Sequence, residues 1–375
     1  MPLTSNQNLF APAAAEEQEK IFRIAEDHFS IVPTPEKIER YAGRTASARI
    51  YRFFLSEHNA IIAKESFWYE AHEAASARAA LEKAYAVSEA LRGRGIPVPQ
   101  VLARNDGGFV YQSENGMIAF LEYKEGAPSS FSDKEWSSAG SLLGRFHRAG
   151  SEHLAQNPRE KESIADVIPV DKPYEDSRAI YDESLRPALL QAHTCAVPDV
   201  CRSVRGHIAD IDVVITFIDA SGVNAAGRAA GILHNDFNVD NVLFSIEGNA
   251  EALIDIDQMG VGPFVWDVGN TLASFGWKMI VADSRANFEE KTALFLRSYR
   301  KEFPLPPEEY LLILAATQRW DVMRILRSMR RHLYEHNRFP ELLPKIKERL
   351  IPRIIAAPRM LSFITPEWIE KNIFR

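Results

Sequence analysis

The feature that most constrains the fold is a pair of short apolar segments around a turn. Val242–Phe244 and Ala252–Ile254 have the composition of buried strands, and the residues around Gly248 have the composition of a hairpin turn. If the hairpin is symmetric about Gly248, its open end places Asn241 and Asp255 opposite each other. The pattern therefore predicts a β-hairpin that carries two polar side chains at one end.

The polar residues beside this hairpin are the types that phosphoryl transfer requires. Asp236 lies five positions before Asn241 on a predicted loop, and Asp255 closes the second apolar segment. Carboxylate and amide oxygens are the ligands that a hard cation such as Mg²⁺ prefers. One carboxylate base and two metal ligands are the minimal set for transfer of a phosphoryl group.

A calcium-binding EF-hand loop is an alternative interpretation of the same residues. Four side chains fall at positions one, three, five and twelve of such a loop, namely Asp236, Asn238, Asp240 and Glu247. The sixth position requires Gly and is Asn241 here, and Val242–Phe244 fits a strand better than a flanking helix. Simple turn and strand-end roles explain each residue singly, but they do not explain the joint spacing.

The segment from His234 to Asn241, followed by Ile254–Asp255 and by Asp267, resembles the aminoglycoside phosphotransferase and choline kinase superfamily. This resemblance implies an α+β, bilobal, protein-kinase-like fold with a small β-rich N-lobe and a larger, mainly helical C-lobe. The family usually has Gly where this chain has Asn235, and an often basic or His position is Asn238. Neither departure removes a catalytic group.

The resemblance also implies roles for individual residues. Asp236 is expected to be the catalytic base toward an acceptor hydroxyl, and Asn241 and Asp255 are expected to be Mg²⁺ ligands. Asp267 is expected to be structural and to bond the backbone of the catalytic loop. Asp257 is either a second metal ligand or a strand-end carboxylate, and we favour the latter because two residues on one strand face need not share an ion.

Upstream, Lys64 lies at the end of an apolar strand and is similar to the lysine that holds nucleotide phosphates in kinases. A helix is predicted from about Ala71 to Leu91, and a glutamate on it would pair with Lys64. Glu82 is the expected partner, with Glu73 and Glu89 as alternatives.

The next buried segment, Gly116–Tyr123, is predicted to be a strand that leads into a hinge. The resemblance implies that backbone groups of Leu121, Glu122 and Tyr123 bind the adenine of ATP. The loop expected to cover the phosphates, Gly43–Ala48, has a single Gly and is the poorest match to the family.

The predicted domains are an N-terminal nucleotide-binding lobe, residues 1–123, with a leading helix at about 16–30, and a C-terminal catalytic and acceptor-binding lobe, residues 124–375. The later region has helical spacing in Ser137–His147, Phe288–Phe303 and Pro306–Tyr334. The layout of Phe295–Arg300 followed by Arg319–Asp321 resembles the homoserine kinase-like and stress-response-kinase-like branch. This resemblance implies that Trp320, Asp321 or a nearby Arg lies at the acceptor pocket.

Composition agrees with an enzyme of this kind. The chain has 375 residues, 46% hydrophobic and 25% charged, which is sufficient for two cores. The net charge of −7 and the absence of a basic stretch with interleaved aromatics argue against nucleic acid as a partner. No apolar run is long enough for a bilayer, so no membrane association and a cytoplasmic location are expected. The two cysteines, Cys195 and Cys201, are too few for a metal quartet.

The predicted function is ATP-dependent transfer of the γ-phosphate, with ATP and Mg²⁺ as cofactors, to a hydroxyl of a small molecule. Expected acceptors are an amino alcohol, a hydroxy amino acid, a sugar or an aminoglycoside-like compound. A protein Ser/Thr kinase is the first alternative, but only eleven residues separate Asp255 from Asp267, too few for a long activation loop. A non-catalytic nucleotide- or calcium-binding protein is the second alternative. The sequence does not indicate an oligomeric state.

Overall fold

The computed structural model describes residues 10–31, 38–41, 48–56, 59–66, 74–113, 116–167, 175, 178–190, 205–225, 227–281, 284–334, 348 and 351–375. The chain divides into two compact units. The N-terminal unit comprises Met1–Ser129, Glu162–Ile168 and Asp240–Met259, and the C-terminal unit comprises Ser130–Lys161, Pro169–Val239 and Gly260–Arg375. The hairpin segment thus belongs to the N-terminal unit, whereas the sequence-based division placed it in the C-terminal lobe.

Within the described residues, the strands are β1 Phe10–Pro12, β2 Ile38–Tyr41, β3 Ala48–Ser56, β4 Asn59–Ser66, β5 Tyr111–Gln112, β6 Met117–Glu122, β7 Ala230–Leu233, β8 Val242–Phe244, β9 Ala250–Leu253 and β10 Gly260–Pro263. The helices are α1 Ala15–Phe29, α2 Ala74–Arg92, α3 Asp133–Gln156, α4 Pro158–Val167, α5 Arg186–Leu190, α6 Ile208–Ser221, α7 Phe264–Val281, α8 Arg285–Glu302, α9 Pro307–Tyr310, α10 Ile313–Tyr334, α11 Ile351–Met360 and α12 Pro366–Ile369. Short helical turns lie at Ile256–Gln258, Tyr181–Leu185 and Glu370–Phe374.

The N-terminal unit is built on an antiparallel six-stranded sheet with the order β1-β2-β3-β4-β6-β5. The core of this unit includes Phe53 on β3 and Phe120 on β6, whose rings lie 5.7 Å apart. The helix α1 buries Ile21, Ala25 and Phe29 against the same core, at the spacing of one helix face. This arrangement fixes β4, the strand that carries Lys64, at the centre of the sheet.

The hairpin of β8 and β9 exists as predicted, but its register differs from the symmetric one. Val242 pairs with Leu253, and the backbone N–H of Ile254 donates to the carbonyl of Asn241 over 2.9 Å. Asn241 is therefore opposite Ile254, and the expectation that it faces Asp255 was wrong. The pair nearest the turn, Phe244 with Ala250, is centred on Glu247, and the irregularity after Leu243 moves the centre of the remaining pairs to half a residue before Gly248.

The C-terminal unit is mainly helical. Its helix α3 packs against α8 through two glycines, Gly140 and Gly144. A Cβ atom at Gly140 would lie 2.2 Å from the carbonyl oxygen of Phe295, and one at Gly144 would lie 2.7 Å from that of Tyr299. Both glycines face the partner helix because they are four residues apart. The two helix backbones are therefore in direct contact. The antiparallel strands β7 and β10 pair beside them.

The predicted α+β class is confirmed, with a sheet in the N-terminal region and a mostly helical remainder. The observed helices extend beyond the predicted ones, since α3 continues to Gln156 and the segment predicted at Pro306–Tyr334 contains both α9 and α10. Most of the Gly43–Ala48 loop, Glu73 and both cysteines lie outside the described residues. In the part of the chain that the structure describes, no helix has the length and apolar character needed to cross a membrane.

Candidate active site

The segment that carries Asp236 is fixed to the start of α7. The Asp267 carboxylate accepts hydrogen bonds from the backbone N–H groups of His234, over 2.7 Å, and Asn235, over 2.8 Å. Asp267 is 1% exposed, so these two bonds satisfy a carboxylate that water does not reach. The prediction that Asp267 bonds the backbone of this loop is confirmed.

Further bonds attach the rest of the segment to the same helix face. Thr271 Oγ1 donates to the carbonyl of Phe237 over 3.1 Å, and Ser274 Oγ accepts from the N–H of Val239 over 3.3 Å. Asp267, Thr271 and Ser274 follow at intervals of four and three, the spacing of neighbours on one face of an α-helix. Asp236 thus lies on a loop whose backbone is held before and after it.

Asn235 has a left-handed backbone conformation, with φ of +66°. Only Gly enters this region without steric cost, and Asn and Asp are the next most tolerant residues. This explains why Asn replaces the Gly that is usual at this position of the motif. Asn270 supports the conformation, because its side-chain amide donates to the carbonyl of Asn235 over 3.4 Å.

A buried histidine supports Asp267 from the other side. His147 Nε2 lies 3.2 Å from Asp267 Oδ2, and its Nδ1 lies 2.7 Å from the hydroxyl of Tyr299. Burial lowers the pKa of His147 below its ordinary value, against the raising effect of the Asp267 carboxylate. A neutral ring that donates from Nε2 to the carboxylate and accepts the Tyr299 proton at Nδ1 satisfies all three groups.

In the N-terminal unit, Lys64 is paired with two carboxylates. Its ammonium contacts Asp255, and it lies 2.8 Å from Asp257 Oδ2. Burial lowers the pKa of Lys64, but the charges of Asp255 and Asp257 outweigh this effect and hold the pKa well above its ordinary value. Asp255 has φ of +63°, a second left-handed residue in the motif, and begins the turn Ile256–Gln258.

The structure does not bring Glu82 to Lys64. The Glu82 carboxylate accepts hydrogen bonds from the N–H groups of Phe109, over 2.8 Å, and Val110, over 3.0 Å. Glu89 is likewise engaged, by the N–H of Val101 over 2.6 Å and by Arg92. The predicted partner of Lys64 is thus replaced by carboxylates from a different segment.

The residues at the open end of the hairpin fit a hard cation. Asn241 is buried and is bonded through its carbonyl to Ile254, next to Asp255. Asp257 Oδ1 is buried and has no hydrogen-bond partner among the described residues, and a cation would compensate such an oxygen. No group of three or more His, Cys, Asp or Glu side chains converges in the described part of the chain. One or two carboxylates with an amide suit Mg²⁺, which takes its remaining ligands from phosphate and water.

The predicted hinge residues end strand β6. The N–H of Glu122 donates to the carbonyl of Gln100 over 2.8 Å, and the N–H of Tyr123 donates to that of Ala60 over 3.3 Å. Leu121 forms an isolated bridge with Val101. Two of the backbone donors assigned to adenine are thus used within the N-terminal unit.

The C-terminal unit contains a cavity of about 500 Å³. Its lining residues are Glu175, Arg178, Ala179, Asp182, Asp219, Asn224, Trp266 and Arg319. The Arg319 guanidinium stacks 3.6 Å from the Trp266 ring centre and donates to Asn224 over 2.9 Å. The candidate Asp321 does not line it, because Asp321 is fully buried in an ion pair with Arg353. Trp320 is also absent from this lining.

Comparison with known proteins agrees with this geometry. Residues 41–303 match the model of the phosphotransferase enzyme family. The chain belongs to this family. No curated protein sequence matches the chain.

Several solved structures share the fold of this family member. An amicoumacin kinase in complex with AMP-PNP and Ca²⁺ is 15% identical, with a TM-score of 0.59 over 89% of this chain and 96% of that one. An AMP-bound spectinomycin phosphotransferase is 14% identical, with a TM-score of 0.61 and coverage of 90% and 98%. A choline/ethanolamine kinase family protein from Mesorhizobium loti is 13% identical, with a TM-score of 0.54 and coverage of 94% and 96%. The bilobal, kinase-like fold class is thereby confirmed.

The contacts of three residues, His147, Tyr299 and Asp257, were not predicted from the sequence. His147 and Tyr299 lie 152 positions apart and resemble ordinary core residues of amphipathic helices. Asp257 was noted, but its contact with Lys64 spans nearly two hundred positions. The available signal for His147 was its place at the end of a helix that resembled the family, since a buried histidine needs polar partners.

Proposed function

We propose that this chain is an ATP-dependent phosphotransferase that moves the γ-phosphate of ATP to a hydroxyl of a small molecule. The observation that carries the proposal is the anchoring of the Asp236 loop on the Asp267 carboxylate through two backbone N–H groups. Membership in the phosphotransferase enzyme family supports it. A base must be held in position because positioning and electrostatics supply nearly all of the rate enhancement in phosphoryl transfer.

In this mechanism each residue has a specific role. Asp236 accepts the proton of the acceptor hydroxyl as the hydroxyl oxygen attacks the γ-phosphorus, and the bond from that phosphorus to the oxygen shared with the β-phosphate breaks, so that ADP leaves. Lys64 neutralises charge on the phosphate oxygens, as its ammonium is held in place by carboxylates. Asn241 and Asp255 would hold Mg²⁺, which would supply positive charge to stabilise the phosphate oxygens during transfer. Backbone groups near Leu121, Glu122 and Tyr123 would bind the adenine.

The proposed acceptor is an amino alcohol, a hydroxy amino acid, a sugar or an aminoglycoside-like compound. Proteins of the same fold are described as kinases of amicoumacin and of aminopropanol and as a spectinomycin phosphotransferase, all with small acceptors. A protein substrate is disfavoured by the short interval of eleven residues between Asp255 and Asp267. The calcium-loop alternative is disfavoured because the elements on either side of the loop Asp236–Glu247 are the strands β7 and β9, whereas an EF-hand needs helices there.

The decisive experiment is an ATP-consumption screen of the purified protein against these acceptor classes, with phosphorylated product identified by mass spectrometry. Asp236→Ala should abolish transfer and leave Mg-ATP affinity within about a few-fold, because the base orients the acceptor hydroxyl. Asp255→Ala should eliminate Mg²⁺-dependent nucleotide binding. Glu247→Ala, on the exposed hairpin turn, is the matched control and should be nearly silent.

Two outcomes would contradict the proposal. Undiminished turnover in Asp236→Ala would remove this residue from the mechanism. Calorimetry that finds Ca²⁺ binding at about micromolar affinity, lost in Glu247→Ala, would establish the calcium site instead.

A further inference from the structure

Lys64 has two carboxylate partners, both from the segment that follows β9. Its side chain is 14% exposed, and that of Asp257 is 15% exposed, so the pair at 2.8 Å is largely shielded from water. A shielded ion pair of this kind orients both groups strongly, because loss of either partner leaves a charge without compensation. The ammonium therefore has a defined position set by Asp255 and Asp257.

In a kinase-like fold the helix α2 would supply the partner of this lysine. Its glutamates, Glu82 and Glu89, instead accept hydrogen bonds from backbone N–H groups. Glu82 accepts two backbone N–H groups, from Phe109 and Val110. A Cβ at Gly108 would lie 3.0 Å from Glu82 Oε1, so the segment that Glu82 binds is packed closely against it. Moving Glu82 to Lys64 would take the acceptor away from two partly buried backbone donors.

Asp257 is placed to substitute for that glutamate. It lies in the turn Ile256–Gln258, which packs against α2 and buries Ile256. The left-handed conformation of Asp255 turns the chain there, so that both carboxylates reach the same ammonium. Because Lys64 contacts both, it keeps Asp257 as a partner if Asp255 is engaged by a cation.

The geometry points to Asp257 as the positioning residue that holds Lys64 for the nucleotide phosphates, in the role that a glutamate of α2 was expected to have. This inference rests on the proposed function, since it concerns the nucleotide site of the same enzyme. It holds whichever acceptor the enzyme uses. Glu82 then has a structural role, which is to bind the backbone of Phe109–Val110.

The test measures Mg-ATP binding by calorimetry without any acceptor, together with the steady-state parameters for ATP and for the acceptor. Asp257→Asn should raise the nucleotide Kd and the KM for ATP by about tenfold or more, because a charge-assisted bond to the phosphate-binding cation is lost. The KM for the acceptor should be unchanged. Asp257→Glu, which keeps the charge, should restore part of the affinity.

A double-mutant cycle separates this role from a general effect on folding. Lys64→Ala with Asp257→Asn should bind nucleotide no worse than Lys64→Ala alone. Glu82→Gln should lower the melting temperature and leave the nucleotide Kd unchanged. Asp106→Asn, at an exposed carboxylate of the same unit, is the matched control and should change neither quantity.

Additive losses in the cycle would overturn the inference, and so would a nucleotide Kd that changes in Glu82→Gln and is unaffected in Asp257→Asn. If the wild-type chain binds Mg-ATP and phosphorylates no acceptor while Asp257→Asn binds poorly, the inference stands and the proposed function fails. If Asp257→Asn binds as tightly as wild type while transfer proceeds, the inference fails and the proposed function stands. A wild-type chain that binds no nucleotide overturns both.

Discussion

The backbone N–H of His234 donates to the carboxylate of Asp267 over 2.7 Å, two residues before Asp236. Both residues are at most 1% exposed. A hydrogen bond to a buried carboxylate is stronger than one between neutral groups, because its acceptor carries a full charge in a medium of low polarity. The position of Asp236 therefore depends on a charge that is not itself part of the chemistry.

Asp267→Asn should reduce both activity and stability. Asparagine keeps the shape of the side chain but replaces one acceptor oxygen by a donor, which would then face a backbone N–H. We expect a loss of about 1–3 kcal/mol in the free energy of unfolding and a marked fall in kcat. Chemical denaturation and steady-state kinetics measure the two effects. Asp133→Asn, an exposed carboxylate paired with Lys291, should change neither.

His147 should make stability depend on pH. Burial lowers its pKa in the folded chain, so below the ordinary value of about 6.5 the unfolded chain binds a proton that the folded chain does not. The stabilisation is fully present above about pH 6.5 and is lost as the pH falls below it. In His147→Gln this loss should be absent when melting temperatures are compared between pH 7 and pH 5. His207→Gln, at a partly exposed histidine, should retain the wild-type slope.

The left-handed conformation at Asn235 predicts an ordered series of substitutions. Asn235→Gly should keep activity, since Gly adopts this φ most readily. Asn235→Val should destabilise the chain by about 1–2 kcal/mol or displace the loop, because a β-branched residue is excluded from this region. Kinetics and thermal denaturation of both variants measure the difference. Equal behaviour of the Gly and Val variants would show that this φ does not constrain the loop.

Asp321 should matter for folding and not for the acceptor. It forms a fully buried ion pair with Arg353, and removal of one charge leaves the other without a partner. Asp321→Asn should cost about 3–5 kcal/mol in stability, with no change in the KM for the acceptor of the folded fraction. The double variant Asp321→Leu/Arg353→Met should be more stable than the single variant. If the KM for the acceptor changes in folded Asp321→Asn protein, Asp321 contributes to acceptor binding and this prediction is wrong.

The sequence predicted the features that depend on short spacings. The hairpin strands follow from two short apolar runs around a Gly turn, and the role of Asp267 follows from the resemblance of the segment His234–Asp267 to the family. The register of the hairpin was missed by one residue because the pair nearest the turn is centred on Glu247 and not on Gly248, a choice of turn geometry that composition does not encode. The lobe boundary at residue 123 remains a prediction.

The ion pairs of Lys64 could not be predicted, for a physical reason. Glu82 lies on the helix that would supply the partner of Lys64 in a kinase-like fold. Its carboxylate instead accepts hydrogen bonds from the backbone N–H groups of Phe109 and Val110. These two N–H groups need a protein acceptor only in the folded chain, since in an unfolded chain they bond to water. Pairing by spacing alone therefore favoured the wrong carboxylate.

The direct contact of α3 and α8 through Gly140 and Gly144 has a consequence for how this protein can evolve. His147 and Tyr299 lie on these two helices, and their separation is set by touching backbones rather than by interdigitated side chains. Neighbouring core residues can be replaced by larger or smaller ones without altering that separation. Any Cβ at Gly140 would force the helices apart and break the hydrogen bond between His147 and Tyr299, although Gly140 is not part of that bond. Descendants of this chain should thus show a variable core around an invariant pair of glycines.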